Sequence, residues 1–290
     1  METEVALRGV TGQVIHLAGP LAGNHGIHLA SGVKGLYDPK VKVIFEEPAN
    51  YPGARYLTHR FLKRDVIFKV EILGDGDGES SWKYRDSFWA RQWAYDEPCY
   101  LDVTTEDGKR SLGLQLAENI DVDLTYDPNG SAIHSAVMTT VGYDPFWYSD
   151  PDTYVWNPTS SDQTYRISVL DPNPTDQPIW PEWVATAPGK WTITDYSWRN
   201  DALANRRIEL PTLTLGENVL VQTDPRRRQV TSENKTNVWA RMGGVRFRHP
   251  IPKYTLGLHE FEVRFEGDPT GAELALKLPR PWSRPWGLLA

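Results

Sequence analysis

Two aspartates, Asp121 and Asp123, stand two apart in Ile120-Asp-Val-Asp-Leu-Thr-Tyr126. In an extended segment that spacing puts both carboxylates on one face. A carboxyl pair is the equipment of glycoside hydrolysis. Here Ile120, Val122 and Leu124 alternate with the acids and need the core, so the acids are turned to solvent, and a catalytic pair would have to converge from separate strands. His25 and His28 lie three apart in a glycine-containing loop, with no cysteine nearby and no third ligand in view, so nothing completes a metal site. Asp75-Gly-Asp-Gly-Glu79 has the acid density of a calcium loop. Ser80 occupies the sixth position, where glycine is needed, and a suitably placed bidentate glutamate is missing. A tight solvated turn is the expectation there. No Gly-x-Ser-x-Gly, His-Glu-x-x-His or phosphate-cradling loop occurs. These residues predict no catalytic centre, no metal and no cofactor.

The single cysteine, Cys99, rules out an intrachain disulfide framework and reads as a small apolar filler beside a strand. Arg226-Arg-Arg228 reads as a solvated turn, or as a patch that meets acid on a neighbour. A formal net charge of −7 gives no general attraction to phosphate backbones, so nucleic acid is not an expected partner. Met1-Glu-Thr-Glu4 lacks the basic and apolar regions of a signal peptide, and no apolar run approaches the roughly 20 residues of a membrane span. The expectation is a chain made and folded in a cytoplasm, with no membrane partner.

Behind these side chains stand mostly strands. With 290 residues the chain suits two domains, and twelve Trp with thirteen Tyr supply large cores and contact surfaces. In the first half, Gln13–Leu17 reads as a strand, Tyr37–Arg55 as a Pro-rich extended excursion, and Asp65–Ile72 as the clearest strand, with Val66, Phe68, Val70 and Ile72 on one face. Ser80 or Ser81 can cap a helix over about 82–95 that Pro98 stops. Trp82, Trp89 and Trp93 then stack on one helical face, either inward against their own sheet or at a subunit interface. Tyr100–Thr104 and Arg110–Leu116 flank Asp107-Gly108, a pair favoured in type I′ turns. Ile120–Tyr126 should pair with Ala132–Val141 across the Asp127-Pro-Asn-Gly130 turn. This half is β-rich with one amphipathic helix, and turn residues from Asp144 to Pro158 place the boundary near Pro151.

From Tyr165 to Phe265 short alternating runs are punctuated by Pro, Gly and Asn, with no convincing helix: Tyr165–Leu170, Lys190–Thr194, Arg207–Leu210, Glu217–Val221, Val245–Arg248 and Glu260–Phe265. That is the signature of a β-sandwich. Trp180, Trp183, Trp191 and Trp198 crowd this region. A carbohydrate-binding module needs several of them exposed and coplanar; an assembly protein needs them buried or covered by a neighbour.

The end of the chain, Leu278-Pro-Arg-Pro-Trp-Ser-Arg-Pro-Trp-Gly287, carries Arg-Pro-Trp twice. Its three prolines predict an extended tail over 279–290 without helix or central strand. Arg280, Trp282, Arg284 and Trp286 are of the types enriched at interface hot spots, so the tail either docks on another subunit or folds back on its own domain.

Taken in order, the β-rich domain with one helix, the turn ending in Asp144-Pro-Phe-Trp147, Leu210-Pro-Thr-Leu-Thr-Leu-Gly-Glu217, Asn218-Val-Leu-Val-Gln-Thr-Asp224 with Arg226–Arg228, and Phe247 with Pro250 before Phe261–Phe265 resemble the distal tail proteins of long-tailed bacteriophages, often called minor tail proteins in phages of actinobacteria. The resemblance implies a non-enzymatic component of the virion tail tip. Residues 1–150 would form a ring, commonly a hexamer; 151–278 would be a galectin-like, jelly-roll sandwich; 279–290 would be the tail. It implies self-association, contacts with tail tube, tape measure and hub proteins, and heterologous interfaces that close the ring. A galectin-like fold does not itself confer sugar binding.

Overall fold

A computed structural model describes residues 3–50, 52–125, 127 and 133–289. The Asp127–Gly130 turn expected above falls mostly outside them. The protein is mainly β and forms two units, Met1–Ser149 with Trp282–Leu288, and Asp150–Pro281 with the last two residues.

In the first unit the strands are β1 (Glu4–Arg8), β2 (Val14–Ala18), β3 (Ile27–Leu29), β4 (Val41–Glu46), β5 (Arg55–Phe61), β6 (Arg64–Leu73), β7 (Cys99–Thr105), β8 (Gly108–Leu116), β9 (Asp121–Val122) and β10 (Ile133–Gly142), with helix α1 (Trp82–Ala90) between β6 and β7. One run of pairings, β3-β6-β10-β8-β7-β1-β2, wraps around a single core. Strict alternation makes β6 its anchor: Val66, Phe68, Val70 and Ile72 are buried, and Asp65, Ile67, Lys69 and Glu71 face out. Its main partner is β10, in register from Ile133↔Leu73 to Gly142↔Arg64. Among the described residues the expected pairing of β10 with Ile120–Tyr126 shrinks to Ala136↔Val122 and Val137↔Asp121, because β8 takes the same edge of β10 at Thr140↔Leu116 and Val141↔Gln115. Leu124 consequently lies 68% exposed.

Helix α1 starts where Ser81 Oγ accepts the Tyr84 amide, and it ends at Ala90, five residues before its expected end. Gln92 is the cause. Its Nε2 donates to Phe88 O (3.0 Å), its Oε1 accepts from Thr11 Oγ1, and its carbonyl accepts from Val10 N (3.0 Å), so the β1–β2 turn claims the chain before another helical turn can form. The β7–β8 turn also differs from expectation. Only Gly108 has positive φ (100°), not Asp107, so the turn is not type I′. The extended Tyr37–Arg55 stretch carries β4 and leads into β5.

The chain leaves this unit without a loop. Strand β11 (Trp147–Trp156) runs through Pro151, where turns were expected. The second unit then adds β12 (Asp162–Leu170), β13 (Glu182–Ala185), β14 (Lys190–Thr194), β15 (Arg207–Glu209), β16 (Val219–Gln222), β17 (Val230–Ser232), the single turn α2 (Val238–Arg241), β18 (Leu258–Glu266) and β19 (Leu274–Trp282). They form a sandwich of two layers, β17-β16-β13-β19-β11 and β12-β18-β14-β15. Trp183, Trp191, Phe247, Phe261 and Phe265 fill the core between them.

Val245–Arg248 is not a strand. Phe247 is instead held by one side chain: Gln229 Oε1 accepts its N–H and Gln229 Nε2 donates to its carbonyl, both at 3.0 Å, an amide doing what a neighbouring strand would do. Strand β19 corrects the reading of the prolines, for it lies between β13 and β11 and contains Pro279 and Pro281. Two residues apart, they remove donors from the same strand edge only. The register with β13, Glu182↔Lys277 to Ala185↔Leu274, is complete before them.

Candidate assembly surfaces

The residues weighed for catalysis are not brought together. Asp121 is exposed at the start of β9, and Asp123 accepts from Thr125 N (3.0 Å) and Thr125 Oγ1 (2.6 Å), which holds its carboxyl below the usual range. Asp75 pairs with Arg85 (2.9 Å), and His25 stacks on Phe88 (4.7 Å between ring centres). Among the described residues no group of three or more His, Cys, Asp or Glu is placed to hold a metal ion. Cys99 is buried, its thiol donates to Leu114 O (3.3 Å), and burial pushes its pKa up to about 12. Few thiolates form there at neutral pH. Arg226 forks onto Asp224 of its own turn (2.7 to 3.1 Å), while Arg227 and Arg228 are exposed. No helix among the described residues is long and apolar enough to cross a membrane.

Both tryptophan sets are largely interior. Trp89 is fully buried, its indole N–H meets Met138 Sδ (3.2 Å), and Trp93 packs edge-on to it at 5.4 Å. Trp82 is half-buried, edge-on to His134. All three contribute to the core of the first unit, which leaves Trp89 and Trp93 no free surface to offer a neighbour. Of the proposed sugar platform, Trp183 and Trp191 are wholly buried in the sandwich, and Trp191 Nε1 donates to Thr186 O (2.8 Å). Trp180 and Trp198 are half-exposed, and Trp198 leans on Phe261 (5.8 Å) and His259 (5.4 Å). A coplanar stacking surface built on all four therefore does not exist.

The tail residues separate. Arg280 is not at a rim but inside the second unit, paired with Asp152 and donating to Pro172 O (2.5 Å). Trp282, Arg284 and Trp286 fold back onto the first unit. Trp282 is buried, with its N–H on Ser149 Oγ (3.1 Å); Arg284 forks onto Asp38 (2.7 and 3.2 Å); and Trp286 lies against Tyr37 (5.5 Å).

What the first unit does expose is β4 and β5. They form a two-stranded sheet of their own, and all of β4 and all of β5 but Phe61 are exposed. The register pairs Val41↔Phe61, Val43↔His59 and Phe45↔Tyr56, so these six share one face; Lys42, Arg60, Glu46 and Arg55 belong to the other. A bulge between Ile44 and Phe45 keeps Phe45 in line with Tyr56. Rings then run along the arm: Phe45 to Tyr56 (6.3 Å), Tyr56 to His59 (6.2 Å), His59 to Phe61 (5.6 Å), and Phe61 to Phe146 (5.0 Å). An isolated hairpin is marginal in water, and a contiguous apolar face on one marks a contact surface. Its signal in the sequence is the apolar density of Val41–Phe45 and Tyr56–Phe61 on either side of Pro48 to Gly53.

The chain is 42% identical to minor tail protein Gp27 of mycobacteriophage D29 and 41% identical to Gp27 of mycobacteriophage L5, with 99% of this chain and 99% of each relative covered. This chain belongs to the mycobacteriophage minor tail proteins. No protein-family model matches it. Among solved structures the minor tail protein is similar in fold to the Dit protein of phage SPP1, described as a paradigm of hub adsorption apparatus in phages infecting Gram-positive bacteria, with a TM-score of 0.58, 10% identity, and 97% of this chain and 99% of that one covered. A chain of the phage P2 baseplate in its activated conformation with calcium matches at TM-score 0.55 and 12% identity, covering 97% and 98%. At such identities the likeness is one of fold.

Proposed function

We propose that this minor tail protein is a non-enzymatic adaptor at the virion tail tip, a distal tail protein assembled in the host cytoplasm. Its first unit, corresponding to residues 1–150 and completed by the tail, closes into a hexameric ring. Its galectin-like second unit, 151–278, is carried on that ring. Tail tube, tape measure and hub proteins are its partners. The observation that carries the reading is the arm made by β4 and β5. Val41, Val43, Phe45 and Tyr56 sit on a face that its own unit does not cover, and a heterologous contact, one copy's arm on the next copy's body, is the kind that closes a ring. Family membership and the fold likeness to Dit support the same reading.

The test is the mass of the purified protein by chromatography with light scattering, followed by negative-stain imaging, for the wild type and for Phe45→Asp/Tyr56→Asp. A six-copy ring in the wild type and a monomer in the variant is the expected result. A ring that survives the double substitution would remove the arm from the interface, and a wild-type monomer in the presence of tail tube and hub proteins would remove the ring.

A further inference from the structure

The first unit contains two arginines with almost no exposure, Arg64 and Arg110, each about 1% accessible, and both reach the last residues of the chain. Arg110, on β8, donates from Nη1 to Arg284 O (2.9 Å) and from Nη2 to Gly287 O (2.7 Å), and its guanidinium lies over the Trp282 ring at 3.9 Å. One planar fork thus grips two carbonyls three residues apart, a task that a point charge such as lysine does not match. Arg64, at the start of β6, donates to Ser283 O (2.7 Å), to Leu36 O (2.8 Å) and to Pro145 O (2.7 Å). Asp107, in the β7–β8 turn, accepts the Gly287 amide at 2.6 Å. Gly287 takes positive φ (69°) between the 284 and 287 carbonyls that share this cation, and Leu288 (62°) continues the turn. Trp282 belongs to the core of the unit, and Trp286 and Leu288 pack against that core.

This is a built peptide site. Backbone carbonyls are read by two buried guanidiniums, a backbone amide by a carboxylate, and three apolar side chains meet the core. The residues that read lie 174 to 219 positions upstream of those that are read. A buried cation stripped of its acceptors is costly, so the groove cannot simply stay shut and empty: water must enter it, and the core beneath opens with it.

We propose that the first unit is a receptor for the segment Trp282–Leu288 of the same chain, and that it closes around β7 and β8 only when that segment, which follows the whole second unit in sequence, arrives. The occupant is the chain itself, by sequence and by backbone shape.

Hydrogen exchange read by mass spectrometry tests this without reference to any ring. In full-length protein carrying Arg110→Met, amides of β7 and β8 should exchange about tenfold faster or more, while those of β12 and β18 keep their wild-type protection. Arg110→Lys should not restore protection. In a chain ending at Pro281, β7 and β8 should lose protection, and a synthetic peptide of residues 282–290 should return it where a scrambled peptide does not. If the truncated chain is insoluble, the full-length Arg110→Met protein decides. Unchanged protection of β7 and β8 in that protein, or equal loss in β12 and β18, overturns the proposal, as does a soluble truncated chain indifferent to the peptide.

Discussion

Glu217 and Arg241 are joined through a single guanidinium nitrogen: Nη2 of Arg241 lies 2.8 Å from Glu217 Oε1 and 2.7 Å from Oε2. The carboxylate, with its side chain 5% exposed, also accepts from Thr214 N (2.8 Å) and Thr236 Oγ1 (2.7 Å), so it ties the turn before β16 to the segment leading into α2.

Those bonds favour the ionised form and hold the Glu217 carboxyl down to about 2, against 4.5 for the free side chain, with the Thr214 amide as the largest cause. The unfolded chain therefore binds a proton that the folded one refuses. The stabilisation is fully present above pH 4.5 and is lost as pH falls toward about 2. Thermal unfolding of the second unit followed from pH 6 down to about pH 2 should show a steep loss in the wild type and a shallower one in Glu217→Gln, which is also less stable at pH 6. Parallel pH profiles for the two proteins would show that Glu217 is not the group responsible.

The arm should behave as a contact surface and not as part of the core. Phe45 is 54% exposed and Tyr56 53%, so replacing either with Asp removes little that the monomer buries. Each substitution should change monomer stability by less than about 0.5 kcal/mol while weakening self-association at least tenfold. Equilibrium urea unfolding checks the first figure and sedimentation velocity the second. A large stability loss would place the arm's face inside its own fold.

How much of this was legible depended on whether a residue's partner lay close in the chain. β6 and β14 could be read directly, since alternation over five to ten residues is a local property and burial on one face is what it means. The arm was not legible as an element because Pro48, Pro52 and Gly53 break the pattern at its tip and the extra residue Leu57, skipped between Ile44↔Thr58 and Phe45↔Tyr56, interrupts the period of β5. Tryptophan identity likewise does not report burial. Trp183 and Trp198 look alike in sequence, but one lies on the inner face of β13 and the other in a loop after β14. The tail is the extreme case. Its Arg-Pro-Trp repeat is plain in the sequence, yet where it lies is set by Arg64 and Arg110, whose approach depends on the finished sheet.

The buried tryptophans of the second unit lead to a prediction about sugars. Trp191 is fully buried, edge-on to Trp156 at 6.0 Å and packed on Phe265 at 4.5 Å. Trp191→Ala should cost about 3–5 kcal/mol and unfold the second unit before the first. Trp198→Ala should leave that unit folded. Affinity electrophoresis of the wild type and Trp198→Ala in gels cast with arabinogalactan or peptidoglycan fragments should show the same mobility with and without glycan. A wild-type retardation that Trp198→Ala abolishes would restore a sugar site.

Gly9 and Gln92 set where α1 ends, and they should be energetically coupled. A Cβ on Gly9 would clash with Gln92, overlapping its Oε1 and coming within 2.6 Å of its Cβ and 3.0 Å of its Cδ, so no alanine fits while Gln92 holds Thr11 and the Phe88 carbonyl. Gly9→Ala should therefore cost about 1–3 kcal/mol through crowding. Gln92→Ala should also destabilise, by losing its bonds across the β1–β2 turn. In the double variant the small side chain at 92 makes room for the new methyl, so the two losses should sum to more than the measured total by at least about 0.5 kcal/mol. Calorimetry of the four proteins closes the cycle. Strict additivity would mean that the turn moves away from Gln92 as a body, and that the helix ends at Ala90 for some other reason.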